Sequence, residues 1–170
     1  GFTTYGHNTT AAYQMQLFGI AAEPEAPAGG QLMTTAPVAG DVIAIVNGTN
    51  AMTGTASGKK LASETATITD GVLTLTETLA QLIVSVDANG YYIFTVDGKY
   101  LTSGATGNEL TLTDAASDYS LWTVEAAGEG IFYIKSVNAN YNGKPQSLEY
   151  YSGFTTYGHN TTAAYQMQLF

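Results

Sequence analysis

Residues 1–18, GFTTYGHNTTAAYQMQLF, recur letter for letter as residues 153–170. Two diverged copies of a motif do not stay identical over such a length. The offset of 152 residues is the size of an ordinary domain. The chain therefore reads as a window on a tandem array, one period running from Gly1 to Ser152 and the next beginning at Gly153. The alternative is a segment added on purpose to complete a fold. Under either reading the segment belongs to a fold that needs it, and this chain carries it twice.

One such period suffices for a single core and is short for two domains. Apolar residues make up 45% of the chain, while charged residues make up only 11%, less than half the usual share. The polar surface must then come from Thr, Ser, Asn, Gln, Tyr and Gly, a palette that suits strands and disfavours helices. The net charge is −9, with five lysines and no arginine. Phosphate recognition needs clustered cations or a guanidinium fork, so nucleic acid and anionic membrane surfaces are excluded as partners. There is no cysteine, which removes disulfides, thiolate metal sites and Cys nucleophiles. No apolar run approaches a membrane span. No signal peptide is visible, and a start at Gly1 fits a mature or excised segment.

Residues 19–40 hold three of the four prolines, Pro24, Pro27 and Pro37, among Ala, Glu and Gly. They read as an inter-domain linker. Residues 1–18 are then the tail strands of a preceding repeat, and residues 41–170 form the complete domain. Inside it the texture is strand and turn, with turn signals at Asn47-Gly48, Asp70-Gly71, Asn89-Gly90, Asp97-Gly98 and Asn142-Gly143. Thr113–Tyr119 and Thr161–Tyr165 each permit one helical turn. A fainter internal repeat runs through DVIAIVNG (41–48), GYYIFTVDG (90–98) and IFYIKSVNA (131–139). Each is followed by a leucine-bearing strand, near Leu61, Leu101 and Leu148, and closes on a pair, Leu82/Val84, Trp122/Val124 or Tyr165/Met167. Three modules, about 41–86, 90–125 and 131–170, predict an all-β β-trefoil. A β-sandwich is the competing fold.

Asp97-Gly98-Lys99-Tyr100-Leu101, Trp122-Thr123-Val124 with Tyr133-Ile134-Lys135, and Leu148-Glu149-Tyr150-Tyr151 carry a resemblance. This pattern resembles the trefoil-like accessory and repeat modules of large exported Gram-positive surface proteins, which are also appended to extracellular nucleases. The likeness spans about residues 41–170 and implies an accessory role with no chemistry of its own. The repeated Gln-x-Trp of ricin-like lectins is absent, since the chain has one Trp.

His7 and His159 are one position seen twice, so a domain has no second His for a triad or a His-rich metal site. Asp114 and Asp118, four apart, suit turn capping better than a cation site. No catalytic motif, cofactor or metal site is expected, and the chain reads as no enzyme. Asn8, Asn47 and Asn160 open Asn-x-Thr sequons, which matter only in a eukaryotic secretory pathway. Tyr150, Tyr151 and Tyr157 lie near His159 and Asn160, giving flat aromatic faces beside amides. In a strand Tyr150 and Tyr151 point to opposite faces, so one of them belongs to the core. Trp122 reads as core.

Three functions stay open. The first is a tandem structural or adhesive module of a secreted or cell-surface protein or filament, with copies of itself as partners. The second is assembly by exchange of the duplicated segment, through Phe2, Tyr5, His7, Tyr13, Met15, Leu17 and Phe18. There the C-terminal copy wins its own barrel by proximity, and the spare hangs on the linker or docks into a neighbour. The third is a carbohydrate-binding module built on the Tyr150–Asn160 region.

Overall fold

Asp97-Gly98 and Asn142-Gly143 turn the chain within two residues, and all four have positive φ, 51° and 74° then 50° and 76°. That is the type I′ geometry, whose twist matches the flanking strands and which Asx-Gly pairs supply at least cost. In the computed structural model, which describes residues 29–170, these turns join the first two strands of the second and third modules.

The first module begins with an interrupted strand, β2 (Val42–Ile43) and β3 (Ile45–Asn47), after a preceding short strand β1 (Gly29–Gln31). It continues through β4 (Asn50–Ser57) and β5 (Lys60–Thr65), the small hairpin β6 (Ile68–Thr69) and β7 (Val72–Thr74), and β8 (Leu82–Val86). The second has β9 (Tyr92–Val96), β10 (Lys99–Ser103), β11 (Leu110–Thr113) and β12 (Trp122–Gly128). The third has β13 (Ile131–Tyr141), β14 (Lys144–Tyr150), β15 (Phe154–Gly158) and β16 (Gln168–Leu169).

First and last strands of the modules pair in a ring. β2 pairs with β8, β8 with β9, β9 with β12 and β12 with β13. Phe132 bridges Met167, and β16 returns to β3. The middle strands form three hairpins, β4–β5, β10–β11 and β14–β15. A closed barrel with three hairpins is the β-trefoil that the module pattern predicts, not the sandwich.

The core repeats with the fold. Ile45, Phe94 and Ile134 come from first strands, Met52, Leu101 and Leu148 from second strands, Leu61, Leu110 and Phe154 from third strands, and Val84, Trp122 and Leu169 from last strands; each is at most 1% exposed. Leu61 therefore belongs on the third strand of its module and Met52 takes the place opposite Leu101 and Leu148. The likeness of KKLAS to KYLTS is one strand out of step. Likewise Met167 and Leu169 form the closing pair of the third module, while Tyr165 lies in the 3-10 turn Ala163–Tyr165 before it.

The predicted linker is described from Gly29 onward, and its residues 29–40 run along the barrel. β1 adds to β7 as the edge of a small sheet β1-β7-β6. The Met33 N–H donates to the Leu169 carbonyl at 2.8 Å, and Pro37 is buried. Leu32 packs on a satellite cluster of Ala44, Val46, Leu73, Leu79 and Phe170. Residues 1–18, with Phe2, Tyr5, His7, Tyr13, Met15, Leu17 and Phe18, lie outside the described residues.

Candidate functional site

Strand alternation sends Leu148 and Tyr150 to one face of β14 and Glu149 to the other, and Tyr151 follows in the turn after the strand. Tyr150 accordingly packs on the core, edge-on to Phe154 at 5.2 Å, with its hydroxyl 3.1 Å from Ser63 Oγ. Tyr151 is 72% exposed. The Lys60 ammonium lies 5.0 Å from the centre of its ring and also donates to the Tyr151 carbonyl, which pins the turn.

On β15, register places Tyr157 opposite Ser147 and Thr155 opposite Glu149. Tyr157 then stands beside Glu149 and Tyr151 over one face of the hairpin. Together with Asn108, Asn160, Thr162, Ala164 and Tyr165 these residues line a cleft of about 380 Å³. A second hollow of about 340 Å³ adjoins it across Tyr157, Asn160 and Tyr165, and is completed by Tyr141, Asn142, Lys144 and Gly158. Tyr141 and Tyr157 face each other with ring centres 4.5 Å apart. Asn160 holds the wall in shape, because its Oδ1 accepts the Thr161 N–H at 2.7 Å and the Thr162 N–H at 3.3 Å.

Four of the five residues singled out from the sequence thus meet here in different roles. Tyr151, Tyr157 and Asn160 line the surface, and His159 stands behind it. Its Nδ1 is 2.8 Å from Ser147 Oγ, and its ring meets Tyr133 edge-on at 5.0 Å and Tyr165 at 6.2 Å. Tyr150 lies apart, in the core. The sequence reading missed Glu149, although the alternation that sends Tyr150 to the core also sends Glu149 to the opposite face. It also missed Asn108, which the loop between β10 and β11 brings in, and Tyr141 across the hairpin.

The three modules differ here for a reason visible in the chain. One residue beyond the buried Leu148 stands Glu149, but one beyond Met52 and Leu101 stand Thr53 and Thr102. Three beyond Phe154 stands Tyr157, but three beyond Leu61 and Leu110 stand Glu64 and Thr113. The aromatic cleft belongs to the third module. A further hollow of about 350 Å³, between Gly54, Leu61, Val96 and Leu112, has no aromatic ring among its lining residues.

Electrostatics keep the phenols neutral. Hydrogen bonding with Tyr141, then burial, raises the Tyr157 hydroxyl above the usual tyrosine value. Burial, then hydrogen bonding to Glu149, raises that of Tyr165 further. Both remain proton donors in the cleft. Glu149 is the one carboxylate among the described residues lining the two hollows. Asp114 lies 3.5 Å from Lys99, and Ser117 caps the 3-10 turn Asp118–Ser120. No group of three or more metal-ligating side chains occurs among the described residues.

His159 has its pKa held below the ordinary histidine value, by burial first and then by Lys135, with Lys144 adding and Glu125 opposing. The unfolded chain therefore takes up this proton before the folded one. The contribution to stability is complete above about pH 6.5 and is lost as pH falls through the lowered folded value. The urea midpoint is expected to drop between pH 7 and pH 5, and to drop less in the variant carrying both His7→Gln and His159→Gln, since His7 duplicates His159; an equal fall in that variant contradicts this role.

The fold defines the class of protein, a β-trefoil. No protein-family model and no curated protein matches the sequence. Solved structures are similar in fold. A protein named SeviL, solved bound to asialo-GM1 saccharide, is 18% identical over 79% of this chain and 98% of its own, with a TM-score of 0.55. The designed three-fold symmetric protein ThreeFoil is 15% identical over 75% of this chain and 96% of its own, with a TM-score of 0.54. The GlcNAcα1-4Gal-releasing endo-β-galactosidase of Clostridium perfringens is 16% identical over 76% of this chain but only 32% of its own, with a TM-score of 0.55. These likenesses establish a shared fold.

Proposed function

We propose that this chain is a non-catalytic β-trefoil module that binds neutral glycans in the third-module cleft. The observation that carries the reading is the composition of that cleft: tyrosine rings, two asparagine amides and one carboxylate on a preformed wall. Sugar rings offer apolar C–H faces to aromatic planes and hydroxyls to amide and carboxylate groups, and small-molecule sites combine a few placed polar groups with apolar walls. The second hollow continues the first past Tyr157, which suits more than one sugar ring. A net charge of −9 disfavours sulfated or sialylated glycans. Hydrolysis by a glycosidase needs two carboxylates across the bond, and among the described residues the cleft supplies Glu149 alone. The saccharide bound to SeviL supports the reading by analogy of fold.

The period of 152 residues supports a wider setting, a repeated adhesive unit of a secreted or surface protein, in which weak sites add into avidity. Glycan-array binding followed by calorimetry tests the cleft. Because Tyr5 duplicates Tyr157 in sequence, the informative variant changes both to alanine. We expect that variant to bind at least 10-fold more weakly, about 1.4 kcal/mol, and Glu149→Gln to weaken binding similarly, each with the fold retained. Unchanged affinity in both variants contradicts the assignment.

A further inference from the structure

The segment 153–170 sits in a slot built wholly from the rest of the barrel. Phe154, Met167 and Leu169 are 0% exposed, Tyr165 6% and Phe170 5%. β15 is held by β14 and β5, and β16 by β3. Met167 and Phe132 exchange backbone hydrogen bonds of 2.8 and 2.9 Å. The Asn47 amide donates to the carbonyls of Ala163 at 2.8 Å and Gln166 at 2.9 Å. Each of these partners accepts any chain that carries the same eighteen residues, and residues 1–18 carry them.

The ends of the slot matter as much as its walls. The slot opens at a tight turn, with Ser152 at φ 52° and Gly153 at φ 124°. It closes at Phe170, whose N–H donates to the Ala44 carbonyl at 3.0 Å. There the backbone of Phe170 lies against Gly30: a Cβ at Gly30 would stand 2.9 Å from the Phe170 carbonyl carbon. A segment seated in this slot therefore ends beside the start of the described chain. Between Phe18 and Gly29 lie residues 19–28, ten residues that extend to roughly 33 Å. That is several times the gap to be crossed, and closing a loop of this length is entropically mild.

From this we infer that residues 1–18 are an alternative completing segment for the same barrel, so that one chain closes its third module in either of two ways. In the second state Phe2, Met15 and Leu17 take the places of Phe154, Met167 and Leu169, and the barrel is a circular permutant of the first. The cleft survives the exchange. Tyr5, Asn8 and Tyr13 fall where Tyr157, Asn160 and Tyr165 were, while Asn108, Glu149 and Tyr151 stay in place. Proximity alone thus does not reserve the slot for the C-terminal copy.

Three full-length variants test this. One carries Phe154→Asp, Met167→Asp and Leu169→Asp; a second carries Phe2→Asp, Met15→Asp and Leu17→Asp; a third carries all six. Trp122 fluorescence during urea unfolding reports the fold, and light scattering the mass. We expect the first two to unfold cooperatively as monomers and the third to lack a transition. The inference is overturned if the first variant is as unfolded as the third, if it folds only as a dimer or larger assembly, or if the third still folds. None of these readouts involves a glycan, so failure here leaves the cleft assignment standing.

Discussion

Trp122→Ala is expected to lower the unfolding free energy by about 3–5 kcal/mol, the range for truncating a fully buried large aromatic residue. Trp122 is 0% exposed and lies where two modules meet, paired with Tyr92 on β9 and Ser136 on β13. Its indole N–H donates to the Leu101 carbonyl at 3.0 Å in a buried position. Truncation leaves a cavity at the barrel wall and strands that carbonyl without its donor. Trp122→Phe keeps part of the volume and loses the donor, so its cost should be smaller and should combine a smaller cavity with the lost hydrogen bond. Urea denaturation followed by far-UV circular dichroism measures both. A loss below about 1 kcal/mol for the alanine variant contradicts the core role.

Gln146→Met should cost about 2–3 kcal/mol even though it preserves much of the volume, because it removes a buried polar junction. The Gln146 side chain is 0% exposed. Its amide N–H donates to the Gly104 carbonyl at 2.9 Å, and its carbonyl accepts from the Thr156 hydroxyl at 2.9 Å. That hydroxyl also lies 2.9 Å from the Glu109 carbonyl and 3.1 Å from Ser103 Oγ. The network therefore grips both ends of the loop 104–109, which presents Asn108 to the cleft. Its loss should appear twice: as a lower urea midpoint, and as faster amide exchange in residues 104–109 than in β9 or β13. Uniform exchange across the chain would place the cost elsewhere.

The parts of this molecule that were legible in the sequence are those set by local chemistry. Asp97-Gly98 and Asn142-Gly143 signal tight hairpins, and positive φ at both residues of each pair is what those residue types favour. The place of Tyr150 on the core face follows from strand alternation. The slip at Leu61 has a local cause too. The short match of KKLAS to KYLTS pairs Leu61 with Leu101, whereas counting from the first-strand core, Ile45 to Met52 and Phe94 to Leu101, pairs Met52 with Leu101 and Leu61 with Leu110. Asn108 and the strand at residues 29–31 were not legible, because long-range partners position them. Gln146 and Thr156 fix the loop that bears Asn108, and β1 pairs with β7 more than forty residues away.

The third module holds the aromatic cleft, and the proposed function rests on what that cleft binds. The most direct measurement is a titration of the ¹⁵N-labelled chain with the neutral oligosaccharide that binds best on an array, followed by amide chemical shifts. Glycan binding in this cleft predicts saturable shifts concentrated at Asn108, Glu149, Tyr151, Tyr157, Asn160 and Tyr165, with β4, β5 and β11 unmoved. Saturable shifts centred on the first or second module, or no shift with any neutral glycan, would contradict it.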